Sequence, residues 1–300
     1  MSEPERIENE SKTVYQMSKK RGMFKQVLKR FSRNRTAMIG LIIFALILLC
    51  IIGVGIFCNY DQAIQQNMSE RLMKPCAEHI FGTDQYGRDV FIRVLFGGRT
   101  SLFTALAVIA CSTTLGMIFG SIAGYGTQRT DNVVMRINDV FAAIPETLLA
   151  VCIVAALGGG MFNLGIACVC TVTPGNIRMF RSWVMPLKEQ DYIEAARACG
   201  TKNFRIITRH ILPNCLGPIL VLATLHLALT IIAIAGLSFI GLGVQSPTPE
   251  WGAMLSEARE FMRDYPHLIM IPGAAILLSA LSLNMIGDGL RDALDPKLKN

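Results

Sequence analysis

Two ionisable side chains, Glu146 and His226, stand inside otherwise apolar stretches of the chain. A titratable group at membrane depth either serves a transport pathway or is tied down by its neighbours. Pro145-Glu146 also suits the first turn of a helix, where proline sacrifices no hydrogen bond and a carboxylate meets the positive dipole end. His226 fits an interhelical hydrogen bond as well as a pore-facing role. The four histidines (His79, His210, His226, His267) lie in separate segments without ligand spacing, so no bound metal is predicted. The nine cysteines form no framework. Most lie in apolar runs, Cys168-Val169-Cys170 resembles no zinc site, and only Cys58 and Cys76 are candidates to meet. Neither H-E-x-x-H, G-x-S-x-G, paired catalytic carboxylates nor G-x-x-x-x-G-K-S/T occurs. The chain is therefore expected to be no enzyme and to bind no nucleotide or other cofactor itself.

The elements that must carry these residues are membrane helices. Hydrophobic residues make up 52% of the 300 positions. Ala37–Phe57 is 21 residues without an acidic, basic or histidine side chain, and Leu102–Gly126 is 25 more. About 20 residues cross a ~30 Å hydrocarbon core. Further spans are predicted from near Pro145 to about Leu157, at roughly Met161–Ile177, at Leu216–Gly243 and at Leu268–Gly287. Gly158-Gly159-Gly160 makes a turn. The first span lacks a small-residue cleavage site and reads as a retained signal-anchor. Before it, Phe24, Val27, Leu28 and Phe31 recur at helical spacing among basic residues, which suits an amphipathic helix on the membrane surface.

Charge orients the bundle. The net charge of +7 forms no basic patch with stacking aromatics, so nucleic acid is not an expected partner; anionic lipid is. With the N-terminus inside, inner segments hold 22 Lys/Arg and outer ones seven, which predicts that both termini are cytoplasmic. The expected organisation is an N-terminal tail 1–36, a first helix 37–57, an extracytoplasmic segment 58–101, a five-helix domain 102–290 and a tail 291–300. Outside, Asp84, Arg88 and Asp89 suggest a turn with ion pairs, and Trp183 and Trp251 suit interface anchoring.

The loop 189–214, between the fourth and fifth spans, is the richest segment. Tyr192, Ala195, Ala196 and Cys199 share one helical face, and Asp191, Glu194 and Arg197 another. Gly200 suits a helix C-cap. A second short helix is predicted over about Asn203–Ile211, ending before Pro213. An elbow with alanines on its surface can enter a partner's groove; an amphipathic connector resting on lipid fits the same pattern.

Here a resemblance separates the two readings. Glu194-Ala195-Ala196, then Gly200, then Leu212-Pro213 resembles the EAA loop of ABC importer permeases. The family usually has Ile three residues before the Pro; His210 stands there, with Ile211 beside it. Gly82-Thr83-Asp84-Gln85-Tyr86-Gly87-Arg88-Asp89, Gly97-Gly98-Arg99-Thr100-Ser101-Leu102, Gly236–Gly243, Pro249-Glu250-Trp251-Gly252 and Asp288–Pro296 are similar to permeases for dipeptides, oligopeptides and nickel, in the second (C-type) member of the pair. The resemblance implies an all-α fold of six transmembrane helices in a bacterial inner membrane, forming half of a pathway for di- or oligopeptides. It implies a homologous permease partner, a binding protein outside, and two ATPases inside that carry ATP and magnesium. Glu194, Ala195, Ala196, Arg197, Gly200, Phe204, Leu212 and Pro213 would dock the ATPase; His226, Gly236, Gly241 and Gly243 would line or gate the pore. The scattered histidines weigh against nickel. A stand-alone secondary transporter is the rival class, but the chain lacks the inverted repeat and coupling carboxylates which that class needs.

Overall fold

The computed structural model describes residues 26–294; residues 1–25, Phe24 among them, and 295–300, with Asp295-Pro296, lie outside the described residues. Residues 26–33 form helix α1, and Asn34 then caps α2 (Arg35–Phe57) by accepting from the Ala37 amide. After the short α3 (Asp61–Ile64) come α4 (Val90–Tyr125), α5 (Gln128–Ala142), α6 (Glu146–Leu157) and α7 (Met161–Lys188). The remainder is α8 (Asp191–Ala198), α9 (Asn203–Ile206), α10 (Leu212–Phe239), α11 (Trp251–Ala258) and α12 (His267–Leu294).

Four helical runs among the described residues are long and apolar enough to cross a membrane: α2, α4, Asn203–Phe239 and α12. A fifth is reached if α5 and α6, bent by 82° at their junction, count as one broken span. The predicted third span is thus only the 12-residue α6, too short at about 18 Å to cross alone. The second begins earlier than expected, because Asp89 caps α4 by accepting from the Ile92 amide and the helix runs 36 residues. The fourth, α7, continues beyond Ile177 to Lys188 with Pro174 and Pro186 inside it, and its Asn176, Arg178 and Arg181 make it more polar than its neighbours.

Close packing holds the bundle together. Gly116, Gly120 and Gly124 line one face of α4, and Asn176, Phe180 and Val184 of α7 sit directly over them. A Cβ on Gly120 would lie 2.6 Å from the Phe180 Cβ and 2.7 Å from the Ile177 carbonyl oxygen. Small residues at i, i+4 and i+8 let two backbones approach, which replaces the hydrophobic drive that lipid does not supply. Similarly, α2 lies on α12, where a Cβ on Gly40 would come 2.7 Å from the Met285 Cβ. Phe31 of α1 is buried with Ala37 and Ala293, so α1 packs on the end of α12 while Leu28 stays exposed.

The segment before α4 is fastened by charges, two of which, Arg88 and Arg93, are fully buried. Arg88 donates from Nε to Asp84 at 2.6 Å and from Nη2 to Glu257 at 2.6 Å. Arg93 reaches the same two carboxylates at 3.3 and 3.2 Å. Asp89 takes a different partner from the one expected: it pairs with His79 at 2.8 Å, and that bond, with Glu70 nearby, lifts the imidazole above its ordinary pKa although partial burial opposes it. Trp251 is no interface anchor. It is 1% exposed, lies over Gly97 and Gly98, and donates from its indole to the Val94 carbonyl at 2.8 Å. Glu250 beside it accepts from the Gly252 and Ala253 amides and from Ser101, so Pro-Glu-Trp-Gly is a packed helix start. Cys58 and Cys76 are free thiols.

Three outcomes follow. Gly120→Val is expected to force α4 off α7 and cost about 1–3 kcal/mol or more, read as a lower unfolding midpoint of the purified protein. Gly165→Ala, where an added Cβ meets nothing within 4 Å, should leave the midpoint unchanged. Glu257→Ala leaves the buried guanidinium groups of Arg88 and Arg93 sharing the single carboxylate of Asp84 and should cost up to about 3–5 kcal/mol in the same measurement.

Candidate functional site

The loop predicted as an elbow is one, and three buried isoleucines set its shape. Ile193 of α8, Ile206 of α9 and Ile211 are all 0% exposed and pack with Phe180, Val184 and Tyr125. Gly200 ends α8 with φ +74°. The Thr201 amide donates to the Ala196 carbonyl at 3.1 Å and the Gly200 amide to Arg197 at 2.8 Å, the paired bonds of a Schellman cap. Nothing would crowd a Cβ at Gly200, so the backbone angle alone demands glycine there.

Tyr125, at the end of α4, ties the elbow to the bundle. Arg197 Nε donates to its hydroxyl at 3.1 Å, the hydroxyl donates to Asn203 Oδ1 at 3.2 Å, and the guanidinium lies 5.0 Å from the ring centroid. Lys188 Nζ donates to the Gly126 carbonyl at 2.9 Å, joining the ends of α7 and α4. The Leu294 side chain lies close to Gly217, and α1 packs on α12, so both described ends of the chain share the elbow's end of the bundle.

Beyond α9 the structure departs from expectation. The helix does not stop before Pro213. A π-turn, Ile207–Ile211, carries it into α10, where Leu212-Pro213 forms the first turn and the missing proline amide does no harm.

The predicted site residues divide accordingly. Glu194 and Ala195 face outward with Tyr192 and Cys199, and Phe204 is 78% exposed. Ala196 is half-buried against the isoleucine cluster, and Arg197 spends its guanidinium on Tyr125. Leu212 and Pro213 belong to α10. Among the pore candidates, Gly241 (φ +86°) ends α10 in a second Schellman cap, its amide bonded to Ser238 and that of Leu242 to Leu237. Gly243 packs on Ser238 so tightly that a Cβ would meet it. The backbone angle at Gly241 and the close packing at Gly243 each call for glycine. Gly236 opens instead on a cavity of ≈ 350 Å³ between α6, α7 and α10, lined also by Glu146, Thr147, Thr171 and Thr230. His226 is half-buried on α10, four residues before Thr230 and on the same helical face. Sequence reasoning passed over Ile193, Ile206 and Tyr125; the signal for the first two was apolar residues recurring in an otherwise charged loop.

Comparison with known proteins places this geometry. Residues 116–300 match the family described as binding-protein-dependent transport system inner membrane component, and residues 22–75 the N-terminal TM domain of oligopeptide transport permease C. The chain is 44% identical to the dipeptide transport system permease protein DppC of Alkalihalophilus pseudofirmus, over 92% of this chain and 91% of that one. It is 39% identical to the oligopeptide transport system permease protein OppC of Bacillus subtilis, over 92% of each chain. It is also 41% identical to the glutathione transport system permease protein GsiD of Escherichia coli, over 90% of this chain and 89% of that one. In fold it resembles a chain of the inward-facing MetNI methionine ABC transporter, with a TM-score of 0.56 at 17% identity, covering 68% of this chain and 97% of that one.

The Tyr125 hydroxyl is the link most open to a single-atom test. Tyr125→Phe keeps the ring but removes both hydrogen bonds, about 0.5–1.5 kcal/mol each. Faster amide deuterium exchange is expected across 191–206, with α12 unaffected.

Proposed function

Because this chain belongs to the family of inner membrane components of binding-protein-dependent transport systems, we propose that it is the C-type permease subunit of an ATP-driven importer of di- or oligopeptides. It is a multi-pass protein of the bacterial inner membrane. The observation that carries the cargo is its likeness, over nine-tenths of its length, to permeases named for dipeptides, oligopeptides and glutathione. All three cargoes are short peptides, which favours a peptide over nickel.

In this reading six spans cross the membrane, the broken α5–α6 pair and α7 among them, with both termini on the cytoplasmic side. A homologous permease completes the pathway, and a binding protein delivers the solute from outside. The chain has no nucleotide loop, so two separate ATPases bind and hydrolyse ATP with magnesium. The outward face of the elbow suits their cleft. Small side chains at Ala195 and Cys199 permit close approach, Glu194 offers a charge, and Phe204 presents an apolar ring to water that a partner would cover. Closure of the ATPases moves the elbow. Through Tyr125 and the continuous α9–α10 run, that motion reaches α4 and α10, opening the cavity to the other side.

Glu194→Lys reverses an outward charge of α8, and Gly200→Pro forbids the positive φ that ends α8. Each is expected to abolish ATP-dependent peptide uptake and to lower co-purification of the ATPases at least tenfold. Survival of both properties in both variants would remove the docking role. Uptake by the chain without any ATPase would replace the reading with a secondary transporter.

A further inference from the structure

Glu146 is the acidic residue in the first turn of α6, a position the helix dipole favours, and it also borders a cavity. It stands at the 82° break between α5 and α6, in a stretch from Phe141 to Leu157 that contains no other acidic or basic residue. Its side chain is exposed and takes part in no ion pair or hydrogen bond among the described residues, and α6 begins without a side-chain cap. The favourable start of a helix was one explanation for this residue. That explanation and a ligand-binding role are compatible, because Glu146 follows the N-cap Pro145 and spends no hydrogen bond on the helix start. It opens on the ≈ 350 Å³ cavity between α6, α7 and α10. That volume lies within the ~300–1,000 Å³ of small-molecule sites.

The cavity's chemistry has one sign. Beside the carboxylate, its polar lining is the hydroxyls of Thr147, Thr171 and Thr230. Thr171 already donates to the Cys168 carbonyl at 3.1 Å, which leaves its oxygen free to accept. No lysine or arginine lines the cavity, and the one basic side chain in electrostatic reach of Glu146 is the half-buried His226 of α10. The remaining wall is apolar: Ala150, Val151, Leu237 and Ile240 among others. A carboxylate with no ion-pair or hydrogen-bond partner, facing a mostly apolar cavity, is free to bind a cation carried by the passing solute.

We infer that Glu146 binds the ammonium group of the transported solute in this cavity, and so makes the pathway itself selective for cationic termini. This rests on the peptide-importer reading above and adds to it a selection step within the membrane, separate from that of the binding protein. A charge-assisted hydrogen bond contributes about 1.5–3 kcal/mol, so its loss corresponds to roughly a ten- to hundredfold change.

The test uses the whole transporter, with partner permease, ATPases and binding protein, in proteoliposomes. Uptake is scored as turnover at saturating loaded binding protein, which cancels that protein's own preference. Three probes are compared: a dipeptide with a free amino terminus, its N-acetyl form, and an N-acetyl dipeptide that carries lysine. Glu146→Gln is expected to slow the free-amino peptide about tenfold or more and leave the N-acetyl peptide unchanged. Glu146→Asp, which keeps the charge, should retain most of the discrimination. A loss on the lysine peptide as well would assign recognition to any ammonium group; a loss confined to the free amine would assign it to the peptide terminus. Equal slowing of all three peptides in both variants, with the complex intact by co-purification, would show a merely structural residue and overturn the inference. If the wild-type complex imports no peptide, the reading beneath it falls and this inference with it.

Discussion

The approach of α4 to α7 across Gly116, Gly120 and Gly124 is the constraint on which the rest of the molecule depends. Lipid tails are as apolar as leucine, so the bundle cannot be assembled by expelling water from helix faces. It needs contact between backbones, and that contact exists only where one helix offers no side chain. Because Phe180 and Val184 of α7 fill the groove left by those glycines, the ends of the two helices meet, and Tyr125 arrives beside Ile193 and Ile206. The elbow is therefore held by the same seam that holds the membrane bundle. A change of spacing between α4 and α7 would be felt at Arg197 and Asn203, two residues that share one hydroxyl.

At the opposite end a different interaction does the holding. Asp84, Arg88, Arg93 and Glu257 form a closed set of two acids and two bases, with Trp251 and Glu250 packed alongside. Buried charges are stable only when every member is paired. The set joins the segment before α4 to α11, elements far apart in sequence. Glu146 stands at the break where α5 turns into α6 and, unlike Asp84 and Glu257, forms no salt bridge with a lysine or arginine among the described residues.

Hydropathy located α2 and α12 well, because each is a continuous apolar run whose length alone matches a bilayer. It failed where polar residues lie inside long helices. Arg93 and Arg99 hide the first turns of α4, Asn176 and Arg178 truncate α7 on paper, and a strongly polar start conceals that α5 continues into α6. The elbow was legible in outline through its alanines and Gly200, yet its anchoring was not. Tyr125 is 66 positions before Asp191, and local spacing carries no information on that contact. Trp251 was misplaced for a related reason. An indole at the end of a span suits an interface equally well, and only the glycines of α4, over 150 positions away, show that it is enclosed.

The π-turn at Ile207–Ile211 has a mechanical meaning. Such a turn holds one residue more than an α-helical turn, so the run from α9 into α10 contains a stored residue at the junction of elbow and membrane. Letting that residue pass into the α-helical register would advance α10 by about 1.5 Å along its axis and rotate it by about 100° relative to the elbow. Thr230 and Gly236 would swing with it, as teeth on a turning shaft do. With that change the junction would work as a screw thread as well as a hinge: a small rearrangement of backbone hydrogen bonds at one end would alter which side chains face the cavity at the other.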